Sequence, residues 1–230
     1  MICTNLKKIR SVIKETARSC GRDPKEIKLV AVSKYMPAAM IAEAHQCDQV
    51  LFGENYLQHA EAKITQLPPA LHWHFIGHLQ SNKAKVAAEL FQVIETIDRL
   101  KIAQALDRHA GNLQKKLDVL VQVNVGREPQ KSGILPEEAK DLLQAMQSLT
   151  NLRVRGLMTM PPYGREPEAS RLWFQALKKL SMELAETNCF YDNTTIELSM
   201  GMSGDFRVAI EEGATLVRVG TAIFGERPRQ

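Results

Sequence analysis

The sequence predicts a parallel (β/α)8 TIM barrel with an extra N-terminal helix, and three observations predict it. Apolar runs of strand length alternate with helix-length amphipathic segments along all 230 residues. The runs carry Val, Ile and Leu on consecutive positions, as parallel strands covered on both faces do. Eight such runs occur, and a barrel of this kind takes about 250 residues, so one barrel domain over residues 1–230 uses up the chain. The runs are 27–32, 49–52, 71–76, 91–97, 117–125, 152–158, 195–198 and 215–219. Before them, Leu6, Ile9, Val12, Ile13 and Ala17 share one helical face, which Gly21 ends. Between them lie helix-length stretches at 38–47, 56–66, 81–89, 99–112, 136–148, 168–186 and 205–211. The clearest helical period is that of Leu172, Ala176, Leu177, Leu180 and Leu184. An open doubly wound sheet is the rival arrangement. When it binds a dinucleotide it carries a glycine-rich turn after the first strand, and Val32-Ser33-Lys34-Tyr35-Met36-Pro37 has no glycine.

Composition narrows the class of protein. Hydrophobic residues make up 44% and charged residues 24%, the balance of a globular chain. A chain of this length buries roughly 70–75% of its unfolded surface, so neither metal nor disulfides are needed for stability. The formal net charge of +4 is spread thinly, and the terminal pair Arg227 and Arg229 is too short to indicate nucleic acid. No stretch approaches the ~20 apolar residues of a membrane span, and the residues after Met1 do not form a signal peptide. Cys3, Cys20, Cys47 and Cys189 are widely spaced with no C-x-x-C pair, which predicts free thiols in a cytoplasmic protein. With no further domain and no apolar surface stripe, a monomer is expected.

In a barrel, chemistry gathers where strands end. Strand seven runs into Ser199, Gly201, Met202, Ser203 and Gly204, a small hydroxyl-bearing turn that opens a helix. Such a turn offers backbone N–H groups and hydroxyls to an anion. Gly220-Thr221 offers a second turn from the neighbouring strand, and phosphate sites after strands seven and eight recur in barrels. The plainer alternative is tight turns capped by Ser and Asp. Lys34 ends strand one and points toward the mouth, where desolvation makes an amine nucleophilic toward aldehydes. A lysine that merely reaches solvent is the alternative. A phosphate site facing an amine is what a Schiff base of pyridoxal 5′-phosphate (PLP) requires. Arg218, two residues before Gly220, then faces the pyridine nitrogen. His72, His74 and His78 have the alternation of a metal site, but no carboxylate or cysteine is near them in sequence, so no metal is expected.

Six segments carry a resemblance. They are Ala31-Val32-Ser33-Lys34, Phe52-Gly53-Glu54-Asn55, the run from His74 to Lys83, Gly156-Leu157-Met158-Thr159-Met160, the run from Leu198 to Asp205, and the run from Arg218 to Gly225. Together they resemble the pyridoxal phosphate homeostasis proteins, the YggS/PROSC family, over nearly the whole chain. The resemblance implies a fold-type III PLP barrel like the N-terminal domain of alanine racemase, with Lys34 as the Schiff-base lysine. It implies a phosphate held by Ser199, Ser203, Gly220 and Thr221 with the Gly201-Met202 backbone nearby, Arg218 at the pyridine nitrogen, and Asn55 near the ring. It also implies PLP and vitamin B6 homeostasis without an established turnover, and apo PLP-dependent enzymes as partners. Many bacterial members carry a second lysine two residues after the first, where this chain has Met36. Lys131 resembles the family's loop lysine after strand five.

Little catalysis is expected. An arginine, whose pKa exceeds about 12, cannot hand a proton to a ring nitrogen, so the cofactor withdraws electrons weakly. Alanine racemase also draws a second acid–base residue from an additional β-domain, and this chain stops after its eighth strand. The alternative is a minimal fold-type III PLP enzyme such as an amino-acid racemase.

Overall fold

The computed structural model describes residues 1–162 and 166–226; the pair Arg227 and Arg229 lies outside them. Its centre is a closed barrel of eight parallel strands in chain order. These are β1 (Lys28–Val32), β2 (Leu51–Glu54), β3 (His72–Phe75), β4 (Val93–Ile97), β5 (Leu117–Gln122), β6 (Leu152–Met158), β7 (Glu197–Ser199) and β8 (Leu216–Val219). Closure is made by β8 on β1, with Val30 paired to Arg218 and Ala31 to Val219. Each predicted strand is present; β6 matches at both ends, and no end is displaced by more than three residues. β2 moves as a whole by two residues, starting at Leu51 and continuing through Gly53 and Glu54. Gln49 is excluded because its side chain donates to the Leu29 and Leu51 carbonyls instead.

The helices are α1 (Ile2–Ser19), α2 (Ala38–His45), α3 (Leu57–Ile64), α4 (Ala84–Leu90), α5 (Leu100–Asn112), α6 (Ala139–Met146), α7 (Arg171–Ala185), α8 (Phe206–Glu211) and α9 (Thr221–Phe224). The extra helix α1 buries Leu6, Ile9, Ile13 and Ala17 as the sequence period requires, and Gly21 follows it at φ +75°. Tight 3-10 turns occupy Ser81–Lys83, Pro136–Glu138 and Pro167–Ser170, so α4, α6 and α7 begin later than periodicity predicts. The short α9 has too few residues to show a period.

Most of the core lies between strands and helices, where Phe52, Phe75, Phe91, Ile94 and Phe174 are fully buried. A second, small cluster of Val30, Leu120, Met158 and Leu216 fills the barrel's own interior, with Leu51 packed against it. Above and below this apolar plug the interior is polar, which sets up both ends of the molecule.

The expectation of four free cysteines is corrected. Cys3 and Cys47 are paired as a disulfide, with Cα atoms 5.5 Å apart, while Cys20 and Cys189 are free. The first turn of α1 packs against the chain just after α2, a neighbourhood that spacing along the sequence does not disclose. No helix among the described residues is long and apolar enough to cross a membrane.

Candidate cofactor site

The predicted anchors come from four consecutive strands, β7, β8, β1 and β2, and lie where those strands end. Lys34 occupies the turn after β1 and is half-buried. The turn closes by a hydrogen bond from the Met36 N–H to the Ser33 carbonyl, with Tyr35 in left-handed backbone at φ 65°. It is held from below by a buried cluster. The Ser33 hydroxyl donates to Glu54 Oε1 at 2.6 Å, and Lys63 Nζ, from α3, meets the same oxygen at 2.5 Å and the Ser33 carbonyl at 3.0 Å. Glu54 is fully buried and Lys63 nearly so. Met36, at the place of the second lysine that the resemblance leads one to expect, is packed into the core.

Asn55 follows β2, and its Oδ1 is buried without a hydrogen-bond partner among the described residues, as is Oε2 of Glu54. A buried acceptor left unpaired costs about 1–3 kcal/mol, so an orphan here marks a place where a ligand group belongs. Gly77 presses close behind Asn55. A Cβ at Gly77 would lie 2.0 Å from the Asn55 carbonyl oxygen. Gly77→Ala is therefore expected to push the Asn55 backbone aside and destabilise the fold by about 1–3 kcal/mol. Chemical denaturation decides the matter, since parent-like stability would show that the approach is not tight.

The turns after β7 and β8 converge. The Gly220 N–H points at Ser203 Oγ at 3.3 Å, and Thr221 next to it is exposed. A Cβ at Gly220 would meet Val32 of β1 at 3.3 Å, which brings the cup beside the strand that leads to Lys34. Gly201 sits at φ +89°, and a Cβ there would lie 2.5 Å from that of Ala209, so the turn needs glycine twice over. Asp205 braces the turn, accepting from the Met202 N–H at 2.7 Å and from the Ser170 hydroxyl at 2.9 Å. The Met202 N–H is thus already engaged, and α8 and α9 have only six and four residues, so local N–H groups and hydroxyls outweigh any helix dipole.

Ser199 has a different task from the one the resemblance assigns. It is fully buried inside the barrel, its hydroxyl donating to Glu95 Oε2 at 2.5 Å and accepting from Arg218 Nη1 at 2.6 Å. Its single proton is committed, which leaves none for a phosphate oxygen. Arg218 is also buried, and its Nη2 donates to the Thr159 carbonyl at 2.7 Å. Glu95 continues to His74 Nδ1 at 2.5 Å. Burial pushes the Glu95 carboxyl up, but the hydrogen bond and charge of His74, the charge of Arg218 and the Ser199 hydroxyl outweigh it and hold the group below its ordinary value. Burial pulls Arg218 down, opposed by Glu95 and Asp205; from so high a starting value it stays charged.

Glu95, Lys63 and the pairing of His74 were missed by sequence reasoning. The signals were an acid in the middle of Val93-Ile94-Glu95-Thr96-Ile97 and a lysine on the buried Ala60 face of α3. The histidines form no metal cluster among the described residues. Lys131 donates to the Pro161 carbonyl and pairs with Glu128 in the loop after β5.

Comparison with known proteins agrees with this fold. The family model of the alanine racemase N-terminal domain matches residues 4–228. A pyridoxal phosphate homeostasis protein of Pseudomonas aeruginosa is 46% identical over 98% of this chain and 96% of its own length. One from Escherichia coli K12 is 43% identical, over 98% and 97%. The structure of Synechococcus elongatus PipY with PLP bound superposes with a TM-score of 0.85 at 37% identity, covering 98% of this chain and all of that one. An alanine racemase of Clostridium difficile shares the fold, with a TM-score of 0.73 at 18% identity over all of this chain and 57% of that one.

Proposed function

The chain belongs to the alanine racemase N-terminal-domain family and, within it, to the pyridoxal phosphate homeostasis proteins; from that premise we propose that it binds PLP through Lys34 and serves the intracellular supply of that cofactor. One observation carries the reading. An amine on a braced turn, an unpaired buried acceptor on Asn55 and a cup of Ser203, Gly220 and Thr221 converge on one end of the barrel. The description of Synechococcus PipY both with and without PLP supports a removable occupant.

PLP, when bound, supplies an aldehyde carbon for an amine to attack and a ring that withdraws electrons. Lys34 supplies the amine. Ser203 and Thr221 would donate hydroxyl protons to the phosphate, and the Gly220 N–H, only weakly engaged at 3.3 Å, could join them. Asn55 would lie against the ring. Arg218 would donate to the ring nitrogen and brings no proton that can be given up, so the site would favour holding the cofactor over turning it into an electron sink. The intended recipients are apo PLP-dependent enzymes in the cytoplasm.

Phosphate recognition has a direct test. Hydrogen bonds to a charged group are worth roughly 1.5–3 kcal/mol each. Pyridoxal is therefore expected to bind at least about 100-fold more weakly than PLP, and Thr221→Val to weaken PLP about tenfold while leaving pyridoxal unchanged. Absorbance titration reads both, and equal affinities would refute the cup. Supply is tested separately by adding an apo-enzyme to the holo-protein and following the return of its activity. No transfer would remove the supply role and leave binding standing.

A further inference from the structure

The barrel has a second mouth. At the N-terminal ends of the strands, opposite the turn of Lys34, lies a cavity of about 910 Å³. Seven lysines and arginines line it against three carboxylates, an excess as large as the formal net charge of the whole chain, +4. Two of these cations are neutralised in place, Lys28 by Glu197 at 2.6 Å and Arg153 by Asp118 at 2.5 Å. Of the other five, Lys14 is exposed and four are oriented by neutral groups. Arg10 donates to the Cys47 carbonyl and Gln49 Oε1, Lys115 to the Phe91 carbonyl, and Lys116 to the Thr150 carbonyl. Arg155 lies over the Tyr191 ring at 5.6 Å. Burial pulls Lys115 below the ordinary lysine value, with Glu89 opposing, so one of these cations is short of solvation. A concave surface of one sign concentrates its field on whatever enters.

The inner end of this cavity is His74, whose side chain is only 7% exposed. Its Nδ1 is held by Glu95, and Nε2 has no hydrogen-bond partner among the described residues. From Glu95 the hydrogen bonds continue to Ser199 and Arg218, so one buried polar chain runs from this mouth to the cofactor end.

We propose that the N-terminal mouth binds a compact anion bearing two or more phosphate groups, and that the chain His74–Glu95–Ser199–Arg218 couples its occupancy to PLP retention. Phosphates fit better than a single carboxylate because the guanidinium forks of Arg10 and Arg155 match their geometry and the excess charge calls for several negative charges in a small volume. The volume lies within the range of small-molecule sites, about 300–1,000 Å³. Negative charge over the mouth pulls on the His74 ring, and because Glu95 holds that ring and Ser199 joins Glu95 to Arg218, a shift at His74 is passed along the hydrogen bonds to the guanidinium that faces the cofactor end. The coupling rests on the function proposed above; the anion site does not.

The test titrates sodium tripolyphosphate into holo-protein and apo-protein at physiological salt by calorimetry. The expected result is saturable one-to-one binding to both. Lys116→Glu combined with Arg155→Glu should weaken it at least tenfold, and the exposed Lys14→Glu, whose side chain has no partner among the described residues, should weaken it severalfold without any risk to the fold. Absence of saturation, undiminished binding in these variants, or tighter binding of a short single-stranded oligonucleotide would each overturn the site. With the anion present, PLP retention should rise about two- to fivefold, and by linkage the anion should bind the holo-protein more tightly by the same factor. Ser199→Ala, remote from the mouth, should keep anion binding and lose that response. A parent protein with no response, or a Ser199→Ala variant that keeps it, would refute the coupling. If the protein does not take up PLP at all, the proposed function fails and the apo-protein titration still decides the anion site.

Discussion

Lys34→Ala is expected to abolish stable PLP retention and leave the barrel folded. Lys63 lies close by, yet it cannot stand in, because its amine is held between Glu54 Oε1 and the Ser33 carbonyl. The turn itself is fixed by the Ser33–Glu54–Lys63 cluster and by the Met36 N–H, so truncating a half-buried side chain should change stability by less than about 1 kcal/mol. The measurement is visible absorbance after desalting, followed by borohydride reduction and peptide mass analysis. PLP found covalently fixed in the Lys34→Ala protein would sink the assignment. Loss of PLP together with a collapsed melting transition would show instead that Lys34 is structural.

Glu95→Leu is expected to have the largest effect on stability. It removes the one carboxylate that faces both His74 and, through Ser199, Arg218, all of them inside the barrel. A buried arginine stripped of its main counter-charge costs up to about 3–5 kcal/mol, here eased in part by Asp205, against the ~5–15 kcal/mol that holds an ordinary domain together. The pH dependence follows from the direction of the Glu95 shift. Its folded value lies below the ordinary 4.5, so its contribution is fully present above that value and is lost as pH falls through the lower, folded value. Glu95→Gln should therefore be less stable at neutral pH and show a shallower acid limb than the parent. Urea denaturation at about pH 7 and again near pH 3–4 measures both. Parallel pH profiles in the two proteins would mean that Glu95 does not titrate in the way described.

The barrel could be read from the sequence because its strands are short-range signals. Eight runs of Val, Ile and Leu separated by amphipathic helices leave few other arrangements. That Lys34, Asn55, Ser203, Gly220 and Thr221 share one end of the barrel was legible for a related reason: a barrel places strand ends together, so position in the repeat is position in space. What escaped was pairing. Ser199 looks like a phosphate ligand beside Gly201 and Ser203, but its hydroxyl is taken by Glu95, 104 residues away. Cys3 and Cys47 look like isolated thiols until α1 packs against the end of α2. Residue type narrows what a polar group can do, and the partner that decides among those roles comes from elsewhere in the fold.

The cofactor end is assembled from the first two strands and the last two, because the closed sheet seats β8 against β1. On a ribosome the lysine therefore emerges early and the proposed phosphate cup almost last. A chain interrupted anywhere between them carries the reactive amine without the grip that would keep an aldehyde there. On the proposed reading, loading doubles as proof of completion, since only a chain that has reached β8 could stay charged, and every coloured molecule in a preparation would be one whose barrel has closed.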